Sequence, residues 1–210
     1  MHKLLLAVIN GKMYFAIKNI YTMTLACVKL NSNMKSSWFH TLFGVRQGDS
    51  MSPSLFSVFL IDLAKEIQEM NCGVEVNGRN FGILLYADDI ALMSTTEENL
   101  QKMLNVLSNW SSKWCIYVNE KKSKIVHFRK NLVNRSSFHF KCGESTLNYV
   151  TSYKYLGVTI NEFLSYDDNA NILAQSAGRA LGGIIAKYKM HKNTWATLGL
   201  QNCTTHVYVL

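Results

Sequence analysis

At 210 residues and 48% hydrophobic, the chain holds enough apolar material for one sizeable core with at most a small appendage. Its 22 Lys and Arg outnumber 14 Asp and Glu, a formal charge of +8, which favours a polyanionic partner such as nucleic acid. No apolar stretch reaches the length of a membrane span, Lys3 to Ile9 lacks a signal-peptide cleavage site, and there is neither a low-complexity tract nor an internal repeat.

In chain order, the apolar run Leu4 to Ile9 already reads as part of a packed element, with no leader before it. Lys12 to Tyr21 carries Met13, Ile17, Ile20 and Tyr21 at helical spacing. Thr24 to Leu30 and Ser37 to Phe43 then read as strands pairing across a turn at Asn31-Ser32-Asn33. In Gly44-Val45-Arg46-Gln47-Gly48-Asp49 two glycines flank a cation and an amide, a loop whose backbone can approach a phosphate or base closely; an ordinary loop is the alternative. Ser52 as N-cap and Pro53, the only proline, at the first helical position start the next helix. Leu55, Phe56, Phe59, Leu60, Leu63 and Ile67 form its buried face, with Asp62, Lys65, Glu66 and Glu69 mostly opposite. Asp62 is expected to be solvated or locally paired.

Asn77-Gly78 signals a hairpin over Val74 to Arg79. It leads into Phe81 to Ser94, FGILLYADDIALMS, where Asp88 and Asp89 interrupt an apolar run. Phe81 to Tyr86 and Ile90 to Met93 read as buried strands joined by a tight turn at Ala87-Asp88-Asp89. Adjacent carboxylates on buried strands repel each other and lose solvation, so the arrangement is unfavourable without a cation or good hydration. Mg²⁺, which takes one or two carboxylates plus water and phosphate oxygens, fits such a tip; an Asx-stabilised surface turn is the alternative.

Thr95 with Glu98 supplies a capping box for a helix with Leu100, Met103, Leu104, Leu107, Trp110 and Trp114 in its core. Strands over Ile116 to Asn119 and Ile125 to Phe128 flank a basic turn, Glu120 to Lys124, and Asn131 to Ser137 reads as a loop tip. From Lys113 to Lys141 the basic residues are Lys113, Lys121, Lys122, Lys124, Arg129, Lys130, Arg135 and Lys141, against Glu120 alone; they make either a nucleic-acid face or a merely solvated one. Short strands follow over Phe138 to Ile160, then a helix over Asn169 to Lys189 weakened by Gly178, Gly182 and Gly183. Asn193 to Leu210 has no clear partner. The five cysteines are odd in number, widely spaced and without a C-x-x-C pair. Reduced, mostly buried thiols in an intracellular, reducing compartment are therefore expected, with nucleus and cytoplasm both open.

Gly44-Val45-Arg46-Gln47-Gly48-Asp49 with Ser52-Pro53-Ser54-Leu55-Phe56, then Tyr86-Ala87-Asp88-Asp89, then Asn119 with Lys122-Ser123-Lys124, then Tyr155-Leu156-Gly157 closely resembles the reverse transcriptase of non-LTR (LINE-type) retrotransposons. The resemblance runs over nearly the whole chain, with four motifs in the right order. It implies an α+β polymerase palm, an antiparallel sheet backed by helices, over residues 1–165, and the start of a helical thumb over 166–210. It implies an RNA template, a DNA primer and deoxynucleoside triphosphates as partners, with no membrane, and paired Mg²⁺ ions stabilising both attacking and leaving oxygens. On this reading Asp88 is a metal ligand and catalytic residue, with Asp89 a secondary ligand or electrostatic support. Tyr86 and Ala87 floor the primer terminus; Arg46, Gln47 and Gly48 contact nucleotide and template. Lys122 and Lys124 lie near the triphosphate, and Tyr155, Leu156 and Gly157 form the primer grip.

One departure bears on activity. The family carries another catalytic aspartate on a strand before the Arg-Gln-Gly motif, whereas residues 1–44 contain no Asp or Glu. Asp49, Asp167 and Asp168 are poor substitutes. The chain is therefore expected to start just after that strand, without fingers, an endonuclease domain or a cysteine-rich module. Two readings follow: a piece of an RNA-directed DNA polymerase inactive on its own, or an inert remnant that binds nucleic acid or a partner through its basic surface.

Overall fold

The computed structural model describes residues 2–7, 9–22, 24–29, 34–41, 44–46 and 48–190. Three helices precede the acidic hairpin or lead to it: α1 (His2–Leu6), α2 (Gly11–Tyr21) and α3 (Ser52–Glu69), with the strands β1 (Leu25–Ala26) and β2 (Phe39–His40) between the last two. There follow β3 (Val74–Val76), β4 (Arg79–Phe81), β5 (Ile83–Tyr86), β6 (Asp89–Leu92) and α4 (Glu97–Lys113). Short strands come next, β7 (Lys124–Ile125), β8 (Lys141–Cys142), β9 (Ser145–Thr146), β10 (Asn148–Tyr149), β11 (Ser152–Tyr155) and β12 (Val158–Asn161), and then α5 (Asp167–Met190). The fold is mixed α and β with small sheets. Each pairing among the described strands is two-stranded, antiparallel except for parallel β7 and β10.

The chain forms two compact units, Met1–Glu120 with Phe138–Thr146, and Lys121–Ser137 with Leu147–Leu210. In the first, α3 and α4 make the core. Leu60, Leu63 and Ile67 of α3 and Met103, Leu104, Leu107 and Trp110 of α4 are buried, as the helical periodicity predicts. Phe59 meets Trp110 and Trp114 edge-on, at centroid separations of 5.2 and 5.7 Å, the arrangement their ring quadrupoles favour.

That aromatic cluster holds a charge. Lys3 of α1 is buried, with its ammonium 4.0 Å from the Phe59 centroid, 4.0 Å from that of Trp114 and 4.5 Å from that of Trp110. It donates to the Phe59 carbonyl and, at 2.7 Å, to Asp62 Oδ1, which also accepts from Trp110 Nε1 at 3.0 Å. Asp62 is thus partly solvated, with its side chain 42% exposed, and locally bonded, accepting from the Leu63 N–H at 3.0 Å, as expected, but it is also paired across the fold with Lys3 of α1 and Trp110 of α4. Burial pushes the Lys3 ammonium below its ordinary pKa despite the Asp62 bond. Burial alone would raise the Asp62 carboxyl, but the Lys3 and Trp110 hydrogen bonds outweigh it and hold it below its usual range.

Asn77 and Gly78, with φ of 52° and 72°, make the two-residue turn between β3 and β4, as their conformational freedom predicts. Gly73 is required by packing: a Cβ there would lie 2.3 Å from the Phe81 carbonyl carbon.

Several sequence expectations are corrected. Ser52 is inside the first turn of α3, with Met51 at the N-cap making no side-chain cap bond; the Ser52 hydroxyl instead donates to the Arg46 carbonyl at 2.5 Å. Thr96, not Thr95, caps α4, accepting from the Asn99 N–H at 3.3 Å. Ile116 to Asn119 forms no strand, and Tyr117 is 93% exposed: no strand among the described residues pairs with it. The strand expected over Ile125 to Phe128 is confined to Lys124–Ile125. Of the cysteines, Cys142 alone among the described residues is buried, Cys27 and Cys72 are half-buried and Cys115 is exposed. Burial raises the Cys142 thiol pKa. The turn at residues 31–33 and the segment 193–210, like Cys203, lie outside the described residues.

In the second unit, Ile125 and Leu147 are buried, and β11 and β12 form a hairpin through Leu156-Gly157, with φ of 49° and 88°. Glu162, also buried, accepts from Arg135 Nη2 at 2.7 Å and lies 3.2 Å from Arg129 Nη2. The Arg135 hydrogen bond holds its carboxyl below the ordinary range. Residues 131–137 are thus a loop, as expected, but one tied down by these ion pairs. On α5, Leu173, Leu181, Ile184 and Tyr188 are exposed and a Cβ at Gly178, Gly182 or Gly183 would meet nothing within 4 Å.

Candidate active site

The paired aspartates sit at the tip of the β5–β6 hairpin. Its register pairs Ile83 with Leu92, Leu84 with Ala91, Leu85 with Ile90 and Tyr86 with Asp89. The turn is therefore two residues, Ala87 and Asp88, and Asp89 is the first residue of β6 and not part of the turn. Ala87 takes φ of 49°, a left-handed conformation that costs a non-glycine residue energy and is retained where surrounding pairing imposes it. The strands are not buried on both faces, as their apolar run suggests. The base of the hairpin is sheltered, with Gly82 buried and a Cβ there 3.4 Å from Ile67 Cγ2; Leu84, Leu85 and Tyr86 are exposed, Tyr86 to 64%. A run of apolar residues cannot distinguish a strand covered twice from one covered once.

Asp88 and Asp89 are both exposed. Neither side chain has a hydrogen-bond or ion-pair partner among the described residues. Two solvent-facing carboxylates on adjacent residues, with no protein cation to neutralise them, suit a hard, partly hydrated Mg²⁺ ion, which needs only one or two carboxylates. The donor set fits an open site. Among the described residues no group of three or more His, Cys, Asp or Glu is positioned to enclose a metal.

The loop leading into α3 is organised by a network that the sequence reading missed. Gly44 and Gly48 take φ of 88° and 84°, the left-handed conformation for which glycine is suited. Between them, Arg46 Nη2 donates to the Ile20 carbonyl at 2.5 Å and to Thr24 Oγ1 at 3.1 Å, with the guanidinium 5.5 Å from the Tyr21 ring centroid. The Tyr21 hydroxyl donates to Asp49 Oδ2 at 3.2 Å and stands 3.5 Å from Ser52 Oγ. Asp49 Oδ1 accepts from the Met51 N–H at 3.0 Å, an Asx-type turn that Asp two residues before Met51 makes legible after the fact. Nothing local marks Tyr21, whose partners are 28 and 31 residues away. Arg46 is therefore engaged with the C-terminal end of α2, and Gln47 lies outside the described residues.

In the second unit, Lys122 and the β11 strand come together: the Tyr153 hydroxyl donates to the Lys122 carbonyl at 3.3 Å. Lys124 starts β7, opposite Asn148 of β10. Tyr155 ends β11 and pairs with Val158 across the Leu156-Gly157 turn. Of the basic residues from Lys113 to Lys141, Arg129 and Arg135 are engaged with Glu162, Lys113 and Lys141 belong to the first unit, and Lys121, Lys122, Lys124 and Lys130 to the second.

Comparison with known proteins places the chain in a family. The family described as reverse transcriptase (RNA-dependent DNA polymerase) matches residues 5–160. The chain is 28% identical over 153 residues to the RNA-directed DNA polymerase from mobile element jockey of Drosophila melanogaster, covering 68% of this chain and 16% of that protein. It is 27% identical over 137 residues to the retrovirus-related Pol polyprotein from the type-1 retrotransposable element R2 of Nasonia vitripennis, covering 61% of this chain and 13% of that one. A putative transposon-derived protein of Caenorhabditis elegans is 37% identical over 90 residues, 42% of this chain and 32% of its own length. The chain thus spans about a sixth or less of the two polymerase relatives.

Proposed function

Because the chain belongs to the reverse transcriptase family, with polymerases of LINE-type mobile elements among its relatives, we propose that it forms the part of an RNA-directed DNA polymerase that carries the paired-aspartate hairpin. The observation that carries this reading is the β5–β6 tip, where Asp88 and Asp89 face solvent without a protein counter-charge. When bound, a pair of divalent ions supplies the charge that activates a primer 3′-hydroxyl and neutralises departing pyrophosphate.

Asp88, in the turn, would be the principal ligand, and Asp89, held opposite Tyr86, the secondary one. The exposed Tyr86 ring and Ala87 would floor the primer terminus. Arg46 is bound to α2, so its role would be to hold the loop in shape while the backbone around Gly48, free of a Cβ, approaches nucleotide and template; Gln47 stays in the proposal as a contact there. Lys122 and Lys124 would face triphosphate oxygens, and Tyr155, Leu156 and Gly157 would grip the primer. The palm over residues 1–165 and a thumb from 166 belong to the same proposal. The start of α5 at Asp167 supports that division, whereas the compact units divide the chain elsewhere.

The test is primer extension on an RNA template. Residues 1–44 hold no Asp or Glu and so would add no further carboxylate to hold the divalent ions. Losing such a ligand costs roughly a thousandfold or more in rate. Residues 1–210 alone should therefore give no detectable extension with Mg²⁺ or Mn²⁺. Fused behind a relative's segment bearing that aspartate, they should extend the primer, and Asp88→Asn should abolish it. Extension by the fused chain that survives Asp88→Asn would sink the assignment.

A further inference from the structure

The charge of the chain is not evenly spread. The first unit carries 11 basic and 11 acidic side chains, the second 11 basic and 3 acidic, so the whole formal charge of +8 resides in the second. Within that unit a cleft of about 720 Å³ opens between residues 128–132 and 163–165, lined by Phe128, Lys130, Asn131, Leu132, Phe163 and Leu164. None of these residues belongs to the motifs that carry the polymerase reading.

The cleft is built rather than incidental. The Arg129 N–H donates to the Glu162 carbonyl at 2.9 Å, and its side chain donates to the Val133 carbonyl at 2.6 Å while pairing with the Glu162 carboxylate. The same guanidinium lies 4.7 Å from the Phe163 centroid. One arginine thus joins both walls and fixes the Phe163 ring, and Arg135 completes the neutralisation of Glu162. Two aromatic rings remain open to water, Phe128 at 48% and Phe163 at 43% exposure. Lys130 is exposed beside them, with no ion-pair partner among the described residues. At the other flank Ser165 donates to Asp167 at 2.6 Å.

We propose that this cleft binds single-stranded nucleic acid, with an unpaired base stacked against Phe128 and Phe163 and the adjoining phosphate toward Lys130. Exposed rings beside cations on the strongly positive part of the chain have the composition of a single-strand platform, in which rings take base faces and cations track the backbone. A duplex keeps its bases stacked on each other and has none to offer the rings. A protein or peptide partner would have to be acidic and would show no preference between strand forms of nucleic acid. The site is independent of Asp88 and of bound metal, so its failure and the failure of the polymerase reading are separable.

The test is fluorescence anisotropy of the full chain with labelled oligonucleotides of about 16 nucleotides, as single-stranded RNA, single-stranded DNA and blunt duplex, all in EDTA. Phe128→Leu and the double change Phe128→Leu with Phe163→Leu keep apolar bulk but remove stacking faces. They should weaken single-strand binding by about tenfold or more and leave duplex binding within twofold. Lys130→Gln should lower the salt slope by about 1. Phe128→Trp should retain affinity and show indole quenching on addition of single strand but not of duplex. Equal losses for single strand and duplex, no loss in Phe128→Leu, or an unquenched Phe128→Trp that still binds would each overturn the proposal. Because Phe163 lies under Arg129, the single change at Phe128 decides the matter if the double variant unfolds.

Discussion

Removing the Asp62 side chain should cost the first unit about 2 kcal/mol, and the part of that cost due to the unpaired ammonium should vanish when Lys3 is already absent, leaving the smaller cost of the lost Trp110 acceptor. In the Asp62→Ala variant the Lys3 ammonium stays buried under Phe59, Trp110 and Trp114, and Trp110 Nε1 loses its acceptor. Breaking a buried pair from one side typically costs about 3–5 kcal/mol. Two features reduce that here: the Asp62 side chain is 42% exposed, which screens the attraction, and Lys3 keeps the Phe59 carbonyl and three ring faces. Lys3→Met, with a flexible apolar stem of similar length among the same rings, should stay within about 1 kcal/mol of the parent. The assay is a double-mutant cycle from urea denaturation followed by tryptophan fluorescence. Asp62→Ala costing as much in the Lys3→Met background as alone would refute the reasoning. The pH dependence has a defined sign. The Asp62 carboxyl is held low in the folded state, so its contribution is complete above the ordinary carboxyl pKa and disappears as pH falls through the folded value. The Lys3 ammonium is also held low, by burial, so its term makes the fold gain stability as pH rises from its folded pKa toward the ordinary lysine value. The cycle should shrink in acid.

Tyr21→Phe, which removes only the hydroxyl bonded to Asp49, should cost about 1 kcal/mol, and Asp49→Ala, which also frees the Met51 N–H, about 2; equal effects, read from denaturation midpoints, would contradict the network. Gly73→Ala should destabilise by several kcal/mol or prevent folding, on the order of an overpacked backbone contact, because its Cβ would meet the Phe81 carbonyl carbon at 2.3 Å. Gly178→Ala on α5, where a Cβ meets nothing within 4 Å, should instead raise helix stability by about 1 kcal/mol, measurable by thermal unfolding. Replacing Lys121, Lys122 and Lys124 by Ala should flatten the salt dependence of primer-template binding by up to about 3 units; an unchanged slope would mean that these lysines are only solvated.

What the sequence made legible follows physical range. Asn77-Gly78, the α3 and α4 core positions and the Gly44 and Gly48 turns come from periodicity or backbone freedom, which act over a few residues, and the structure has them. The caps lie one residue from the positions the sequence suggests, Met51 for Ser52 and Thr96 for Thr95, since the choice depends on where the preceding loop arrives. The Ile116 to Asn119 strand failed because a strand needs a partner that alternation cannot specify. Burial of β5 was overestimated because hydrophobicity does not report which face is covered. Asp88 and Asp89 were legible as an unusual acidic pair in an apolar run, and their exposed, unpartnered setting is what the structure added. Tyr21 with Asp49, Lys3 with Asp62, and Arg129 with Glu162 join residues 28 or more apart, and no local signal announces them.

We propose a divalent-metal site at the β5–β6 tip, led by Asp88. It is tested most directly by Mn²⁺ titration of the chain with primer-template present, read as paramagnetic broadening of amide resonances along Ile83–Leu92. Broadening should centre on Ala87 to Asp89 in the parent chain, be lost in Asp88→Asn, and persist with weaker affinity in Asp89→Asn. Broadening centred elsewhere, or unchanged in Asp88→Asn, would contradict it.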